Sequence, residues 1–247
     1  MFRFVGPPVE LPKVEQKNPK GGKRYYLCDG HKYPSVTRVT GSLPGLQEGL
    51  RKWEEKIGKK KADHIRDASS SRGTRMHDIA ERFLRGEDHT KTSKGERVQP
   101  DSLEMFNVMK NQLVENITDI YGLEERLFSH HLGLAGTVDC VAEWGGVTSV
   151  IDFKSSRKLK KWEWISNYFM QSCAYSIMWE ELTGMPVDSL VVLVSIEPLP
   201  GDAELNVRRW TPEFANEQQK KVQVFRENRD TWAQPLLELI DNYKKGD

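Results

Sequence analysis

The sequence predicts an α/β protein, in which a β-sheet in the second half of the chain follows a helical N-terminal half. Runs rich in Val, Ile, Thr and aromatic residues, which favour strands, cover much of 123–156 and 188–198. The first half instead carries charged segments with apolar residues at helical spacing. In chain order the elements are helices, then a strand, a hairpin, a helix, two strands and a final helix.

Composition restricts the classes of protein that the chain can belong to. Its 247 residues suit one large domain, and a formal net charge of +1 means that any nucleic-acid site must be a local patch. The three cysteines, Cys28, Cys140 and Cys173, are widely spaced and form no CxxC pair. This spacing excludes an all-cysteine zinc site or a four-cysteine iron–sulfur cluster built from this chain alone. It also indicates a reducing compartment.

Sequence signals for membranes and for several common enzyme classes are absent. No apolar run approaches the roughly 18 residues needed to span a bilayer. The Pro-interrupted N-terminus lacks the apolar centre of a signal peptide, so we expect a cytoplasmic protein. The chain contains no GxxxxGK[ST], GxGxxG, HExxH or GxSxG pattern. Phosphate-loop, dinucleotide, zinc-protease and hydrolase-elbow chemistries therefore have no support.

The elements of the N-terminal half follow in order. Residues 1–22 read as an extended arm that contains Pro and Lys, and 23–41 as a hairpin around the Asp29-Gly30 turn. The charged stretch 46–68 predicts a helix, weakened by two glycines. A second helix is predicted over 70–86, with an apolar stripe spaced i, i+3, i+4, i+7.

Two features of the following region bear on function. His77 lies beside the apolar stripe of the second helix, with Glu81 one turn later. The polar segment 86–100 contains two glycines and three basic residues, and a third helix begins at Asp101 or Ser102. The segment is either an ordinary surface loop or an arch over a groove.

A hairpin at the centre of the chain brings acidic side chains together. Gly145-Gly146 separates "GTVDCVAEW" from "VTSVIDFKSS", and a two-residue loop there puts Asp139 opposite Asp152. Residues directly opposite share a face, with Cβ atoms about 4.5–5.5 Å apart. Lys154 lies two residues beyond Asp152 and so projects from the same face.

Two carboxylates opposite each other repel, and a divalent cation with oxygen ligands would offset that repulsion. The alternative is a solvated hairpin face with ordinary surface charges. The apolar neighbours of Asp152 and the shared register of the two aspartates both count against an exposed ribbon. Geometry alone leaves the two interpretations open.

The segments after the hairpin complete the sheet. "SSRKLKK", 155–161, is either a solvated loop or a phosphate-contacting one, and Trp162 and Trp164 either stack on bases or fill the core, which we favour. A helix is predicted from Tyr168 to Thr183, closed by Gly184. Strands are predicted over 188–198 and 204–210, and a long C-terminal helix from Thr211 onwards.

These motifs together resemble a known family. Asp139, a hairpin and Asp152-Phe153-Lys154 resemble the core of the PD-(D/E)xK nuclease superfamily. Gln171-x-x-x-Tyr175 matches the QxxxY motif of its RecB-type branch, and His77 in "GTRMHDIAERFL" is similar to the upstream histidine of that branch. From about residue 33 to 180, the chain is similar to mitochondrial genome maintenance exonucleases and to related phage and bacterial exonucleases.

The sequence departs from the family pattern in two ways. Val138 stands where the motif has its namesake proline. The C-terminal cysteines of the four-cysteine RecB-like nucleases are missing, so no iron–sulfur cluster is expected. The resemblance implies a restriction-endonuclease-like core, with a central mixed sheet flanked by helices, in a single domain over 23–247. Its N-terminal part would span 23–122, and 123–247 would hold the catalytic core and the C-terminal helix.

The resemblance also implies roles for particular residues. Asp139, Asp152 and Lys154 would be catalytic, and one or two Mg²⁺ or Mn²⁺ ions would be bound by His77, Asp139, Asp152 and the Phe153 backbone carbonyl. Substrate would be contacted by Gln171 and Tyr175 near the scissile phosphate, and by Ser155, Arg157 and Lys158 through DNA phosphates. Glu125 is either an additional carboxylate of the site or a surface residue, and Glu81 is a further candidate.

The function implied is a metal-dependent DNA exonuclease that acts on single strands from free ends in replication, recombination or repair. Its partners would be DNA and proteins of those processes, with no membrane, in the cytoplasm of a bacterium or of a phage-infected cell. A structure-specific endonuclease on the same fold and an inactive DNA-binding relative remain open. The intact Asp139, Asp152 and Lys154 count against the last.

Overall fold

The protein is an α/β structure built on a mixed six-stranded sheet, as predicted. The computed structural model describes residues 2–196 and 221–246. The strands of the main sheet are Arg3–Phe4 (β1), Ile117–Ser129 (β5), Leu134–Trp144 (β6), Val147–Ser156 (β7), Ser189–Ile196 (β8) and Val222–Asn228 (β9), in the order β1-β5-β6-β7-β8-β9. A small sheet consists of Glu15–Lys17 (β2), Tyr25–Cys28 (β3) and His31–Pro34 (β4).

Helices cover both faces of the main sheet. Those of the N-terminal half are Val36–Thr40 (α1), Pro44–Ile57 (α2), Lys59–Leu84 (α3) and Pro100–Asn116 (α4), and those of the second half are Ser166–Thr183 (α5) and Arg229–Gly246 (α6). One core lies between the sheet and α5 with α6, and a second lies between the sheet and α3 with α4. The central strands are therefore buried on both faces. No helix in the described part of the chain combines the length and apolarity that a membrane span requires.

The sheet is mixed because one connection crosses over. β5, β6 and β7 pair antiparallel through hairpins, whereas β7 and β8 are parallel and are joined through α5. A parallel pair needs such a crossover, since a short turn cannot return the chain to the starting edge. β9 then pairs antiparallel with β8, and β1 runs parallel to β5 at the opposite edge.

The hairpin between β6 and β7 has the predicted two-residue loop. Gly145 and Gly146 have φ angles of 57° and 79°, which only glycine adopts without strain. Pairing runs from Trp144 opposite Val147 to Cys140 opposite Ile151, which confirms the predicted register.

The N-terminal elements differ in detail from the prediction. Residues 2–22 form an extended segment that also supplies β1 to the main sheet and β2 to the small one. The Asp29-Gly30 hairpin is present, but its second strand ends at Pro34 because Ser35 caps α1. The helix break falls at Gly58, with φ 83°, so that α3 continues through the boundary predicted near residue 69.

The prediction for the C-terminal region was partly wrong. Residues 222–228 form β9 on the exposed edge of β8, whereas the sequence predicted a helix from Thr211 onwards. Alternate residues along VQVFREN are partly buried, a period of two that suits a half-covered edge strand. The C-terminal helix begins at Arg229. The strand predicted over 204–210 and the cap at Thr211 lie outside the described residues.

Candidate active site

Three carboxylates lie in a row across three adjacent strands of the main sheet. The register of β5 with β6 puts Glu124 opposite Asp139, and the register of β6 with β7 puts Asp152 on the other side of Asp139. The pairings that define the row are Leu123–Cys140, Glu125–Val138 and Cys140–Ile151. Such a row is electrostatically unfavourable by itself, because like charges directly opposite destabilise a sheet.

Asp139 occupies the place where pairing of β6 with β7 stops. Its Oδ2 atom accepts a hydrogen bond from the backbone N–H of Phe153 at 2.8 Å, so a side chain takes over a backbone donor just beyond the last ladder pair. The side chain is nearly fully buried. The opening between the strands thus holds the carboxylate in one fixed orientation.

His77 approaches this opening from α3. Its Nε2 atom lies 2.7 Å from the carbonyl oxygen of Phe153, and its Nδ1 atom lies 3.4 Å from Asp139 Oδ1 and 3.8 Å from Glu124 Oε1. Because a carbonyl only accepts, Nε2 carries the proton of that hydrogen bond and Nδ1 faces the carboxylates. Among the described residues, these ligand atoms of His77, Glu124 and Asp139 form the one three-residue group close enough to share a metal ion.

The carboxylates set the charge of His77. Burial by itself lowers the pKa of its imidazole, but Asp139 and then Glu124 raise the pKa, to about 10. The imidazole is therefore positively charged at neutral pH when only these side chains surround it. It occupies the position of a cation between the carboxylates.

Asp152 is held on one side only. Its Oδ1 atom accepts hydrogen bonds from Lys154 Nζ at 2.5 Å and from Gln171 Nε2 at 3.1 Å. Its Oδ2 atom is buried and has no hydrogen-bond partner in the described part of the chain. Burial raises the pKa of Asp152 to about 6, against the lowering effect of Lys154. An unpaired buried oxygen costs about 1–3 kcal/mol, so the site fits a group that would coordinate it, such as a cation.

Lys154 carries the positive charge nearest to Asp152. Its Nζ atom lies 5.3 Å from the centre of the Tyr168 ring. Burial lowers the pKa of Lys154, but Asp152 and Asp139 more than compensate, so its pKa is raised and the ammonium stays charged. The side chain remains partly accessible, about 19% exposed, which leaves a path from solvent to its charge.

The QxxxY pair on α5 lies beneath these groups. Gln171 is almost buried, and its amide holds Asp152. Tyr175 is 3% exposed, and its hydroxyl lies so close to Gly136 that a Cβ atom there would be 2.7 Å from it. Burial, then the nearby Asp139, raises the pKa of Tyr175 well above its usual range, so the phenol is neutral. Gln171 therefore supports the carboxylate row directly, and Tyr175 packs against the β6 backbone at Gly136.

The carboxylate that joins His77 and Asp139 belongs to Glu124, not to its neighbour Glu125. Glu125 lies near Arg85 and Glu81, and Glu81 forms a salt bridge of 2.9 Å with Arg85. The sequence alone did not identify Glu124, because a backbone irregularity near the start of β5 and a φ of 53° at Glu124 break the simple alternation of faces. The pairing of β5 with β6, which puts Glu124 opposite Asp139, is the observation that identifies Glu124.

The segment after β7 is exposed and basic. Arg157 and Lys158 are exposed, and Ser155 is partly buried at the end of β7. Trp162 and Trp164 are 46% and 54% exposed, so the prediction that they fill the core was wrong. Both tryptophans belong to a short 3₁₀ turn between β7 and α5, and none of the residues of this turn is buried.

Comparisons with known proteins agree with this geometry. A family model described as the PD-(D/E)XK nuclease superfamily matches residues 45–247. The chain is 27% identical over 143 residues to mitochondrial genome maintenance exonuclease 1 of Xenopus tropicalis, over 56% of this chain and 40% of that protein. It is 27% identical over 133 residues to the human protein of the same name, over 51% of this chain and 38% of that protein. The matches thus span about two fifths of these relatives, and the family match shows that the chain belongs to the PD-(D/E)XK nuclease superfamily.

Proposed function

We propose that this nuclease is a divalent-metal-dependent exonuclease that hydrolyses phosphodiester bonds of single-stranded DNA from free ends. The observation that carries the proposal is the row of Glu124, Asp139 and Asp152, in which both aspartates are buried, with the unpaired Oδ2 atom of Asp152 and the charged Lys154 beside it. His77 and Lys154 offset part of the negative charge of this row, and a divalent cation at the unpaired Oδ2 atom of Asp152 would offset the rest, because buried like charges are costly.

The ligands in this proposal are Asp139, Asp152, Glu124, His77 and the carbonyl oxygen of Phe153. Carboxylate and carbonyl oxygens suit Mg²⁺ and Mn²⁺, and an imidazole nitrogen favours Mn²⁺ over Mg²⁺. One or two such ions would supply an activated water and stabilise the negative charge that develops on the phosphate. His77 reaches both the Phe153 carbonyl and Asp139, so a single side chain could align the two.

The side chains of this chain then have separate tasks. Lys154 holds an ammonium where negative charge grows on the phosphate, and a fixed charge in a site of low polarity stabilises that growth. Gln171 fixes the Oδ1 atom of Asp152, so Oδ2 keeps one direction. The neutral Tyr175 hydroxyl closes the floor of the site beside Gly136.

The preference for free ends rests on the segment Gly86–Pro100 in this proposal. The segment contains a short turn, in which the N–H of Gly95 donates to the carbonyl of Thr92 at 2.9 Å, and a bridge joins Lys91 to Arg97. His89 anchors it by packing against the rings of Phe83 and Phe106. A polar segment that is anchored through His89 suits an arch that admits one strand, and similarity to proteins named as exonucleases supports that interpretation.

The test compares closed circular single-stranded DNA with the same DNA linearised and end-labelled, in Mg²⁺, Mn²⁺ or EDTA. We expect cleavage of the linear DNA only, in either metal, and none in EDTA. Equal cleavage of the circle would replace the exonuclease by a structure-specific endonuclease, and no cleavage of either DNA in any metal would overturn the assignment of a nuclease activity. Because trimming of single-stranded ends is common to replication, recombination and repair, we assign the enzyme to these processes.

A further inference from the structure

An open groove runs along the segment that follows Lys154 in the chain. It has a volume of about 430 Å³ and begins at Ser155 and Ser156, the last residues of β7. One wall comes from α2 and α3, and the other from the chain between β7 and α5. The aromatic and basic side chains that line it are Trp53, Arg72, Arg157, Lys158, Lys160 and Trp164.

The wall after β7 exposes large apolar side chains next to basic ones. Leu159, Trp162 and Trp164 are 59%, 46% and 54% exposed, three large apolar side chains within six residues. Exposed apolar groups concentrated in this way, with charged neighbours, mark an interaction surface. Trp162 packs against Phe169 and Phe225, whereas Trp164 lines the groove.

Each groove tryptophan has a cation over one face of its indole, which leaves the opposite face for a ligand. The guanidinium of Arg66 lies 5.4 Å from the centre of the Trp53 ring, and the ammonium of Lys161 lies 5.3 Å from the centre of the Trp164 ring. Arg66 is itself fixed by Glu54 and Asp63. Such contacts restrain the indoles, so that a flat ligand ring would stack on them with little loss of entropy.

The basic wall is held in place by two local clamps. Ser156 Oγ donates to the carbonyl of Lys158 at 2.7 Å and accepts from its N–H at 3.2 Å. The side-chain amide of Gln223 on β9 accepts from the N–H of Lys160 at 2.6 Å and donates to its carbonyl at 2.9 Å. This pair of hydrogen bonds ties the loop to the edge of the sheet. Burial lowers the pKa of Lys160, a shift that an adjacent phosphate would oppose.

We propose that this groove binds the nucleotides of a single strand next to the scissile phosphate, with bases stacked on Trp53 and Trp164 and phosphates at Arg157 and Lys158. Gln223 is a positioning residue that sets the depth of the groove through Lys160. Stacking on both indoles requires unpaired bases, and cations along one wall match a phosphate backbone. The inference rests on the proposed function, because it makes this groove part of the same substrate site.

Binding is measured in EDTA, so that it does not depend on cleavage. The probe is a fluorescent oligothymidylate, followed by anisotropy. We expect Trp53→Ala and Trp164→Ala each to weaken binding by roughly 5- to 100-fold, the range for loss of one stacked base, while Trp164→Phe retains most of the affinity. Trp162→Ala, which removes an indole that does not line the groove, serves as the matched control and should bind like the wild type.

Two further variants test the charges and the clamp. Lys158→Ala should make the plot of log association constant against log salt concentration less steep by about 0.7, the value for one phosphate contact on a single strand. Lys245→Ala, on α6, is the control and should leave the slope unchanged. Gln223→Ala should raise KM for the linear single strand with little change in kcat, and Gln223→Glu, which loses the donor to the Lys160 carbonyl and adds a negative charge near the phosphates, should raise KM at least as much. Thermal melting confirms that each variant folds.

The outcomes separate the two proposals. Unchanged oligothymidylate binding in both folded tryptophan-to-alanine variants, or equal binding of a duplex, overturns the groove assignment even if the protein cleaves DNA. Loss of oligothymidylate binding in those variants supports the groove assignment. If the same protein cleaves no DNA in any metal, the proposed function fails but the groove assignment stands.

Discussion

The Nε2 atom of His77 lies 2.7 Å from the carbonyl oxygen of Phe153, so a side chain from α3 contacts the backbone between Asp152 and Lys154. The same imidazole faces Asp139 and Glu124 through Nδ1. One residue of the helical N-terminal half therefore touches each strand that contributes a carboxylate. This relationship connects the metal chemistry of the site with the packing of α3 on the sheet.

The charge on His77 predicts how the stability of the metal-free protein depends on pH. Its pKa is raised to about 10 in the folded state, above its value of about 6.5 when unfolded, so the folded state binds the additional proton between these values. The free energy of unfolding should therefore fall as the pH rises from about 6.5 towards 10. Below about pH 6.5 the contribution of His77 is fully present.

Urea denaturation in EDTA at pH 6.5, 7.5 and 8.5 measures this dependence. His77→Gln should remove most of the decline, because glutamine does not titrate. Asp241→Asn, at an exposed position on α6, controls for the removal of a titratable group elsewhere. A decline of the same size in His77→Gln would show that other groups produce it.

The catalytic assignments predict that Asp152→Asn and Lys154→Ala abolish cleavage in folded protein. Removal of one fixed charge that stabilises a transition state commonly costs about 10²–10³ in rate, and we expect at least that loss for each variant. The rate of release of a 5′- or 3′-labelled nucleotide in Mn²⁺ gives the measurement, with Asp241→Asn as the control. A variant that keeps more than about a tenth of the wild-type rate, after repurification, removes that residue from the catalytic set.

The row of carboxylates predicts that Mn²⁺ stabilises the protein. A ligand that binds only the folded state at a hundred times its Kd adds about 2.7 kcal/mol to the free energy of unfolding. The gain should be lost in Asp152→Asn and in Asp139→Asn. Thermal melting against Mn²⁺ concentration, with and without EDTA, checks this expectation. An equal rise in melting temperature in both variants would assign the metal to another place.

Glu124 and Glu125 offer a comparison of adjacent residues. Glu124 lies in the row beside Asp139, whereas Glu125 lies near Arg85. Glu124→Gln should weaken Mn²⁺ activation by about 10- to 100-fold, the range for groups that support a metal site, and Glu125→Gln should change it little. Metal titrations of the cleavage rate decide between them, and the opposite ranking of the two variants would return the role to Glu125.

The contact of Gly136 with Tyr175 predicts a large effect of a single methyl group. A Cβ atom at Gly136 would lie 2.7 Å from the Tyr175 hydroxyl and 2.8 Å from its Cε1 atom. Gly136→Ala should therefore destabilise the protein by about 1–3 kcal/mol, since the buried ring of Tyr175 has little room to move away. Gly49→Ala, on the exposed helix α2 where nothing lies within 4 Å, should stabilise by about 0.5–1 kcal/mol. Urea denaturation measures both, and unchanged stability in Gly136→Ala would contradict the packing.

The sequence was sufficient for the parts of the site that local geometry determines. The Gly145-Gly146 turn and the two-residue period of strands are enough to predict the register between Asp139 and Asp152. The position of Glu124 depends instead on a backbone irregularity and a left-handed φ, for which a two-residue period has no signal. Long-range packing likewise decides that Trp164 stays exposed.

The C-terminal error has a related cause. Residues 222–228 combine strand-favouring Val and Phe residues with Gln, Arg and Glu residues that favour helices, and the edge of β8 decides their conformation by offering a row of unpaired backbone groups. Pairing with that edge overrides the weak local preference. Only the neighbouring strand, 26 residues earlier in the chain at its nearest point, carries that information.

The hydrogen bond from His77 to Phe153 also limits how this enzyme can be divided or grafted. A fragment that begins at β5 would keep all three carboxylates and Lys154, yet it would lack the imidazole that aligns the Phe153 carbonyl. The acidic strands alone are therefore not a transferable module. A chimera or split enzyme built from this protein must therefore include α3 together with the hairpin. If α3 and the strands are on separate fragments, activity would depend on the association of the two fragments.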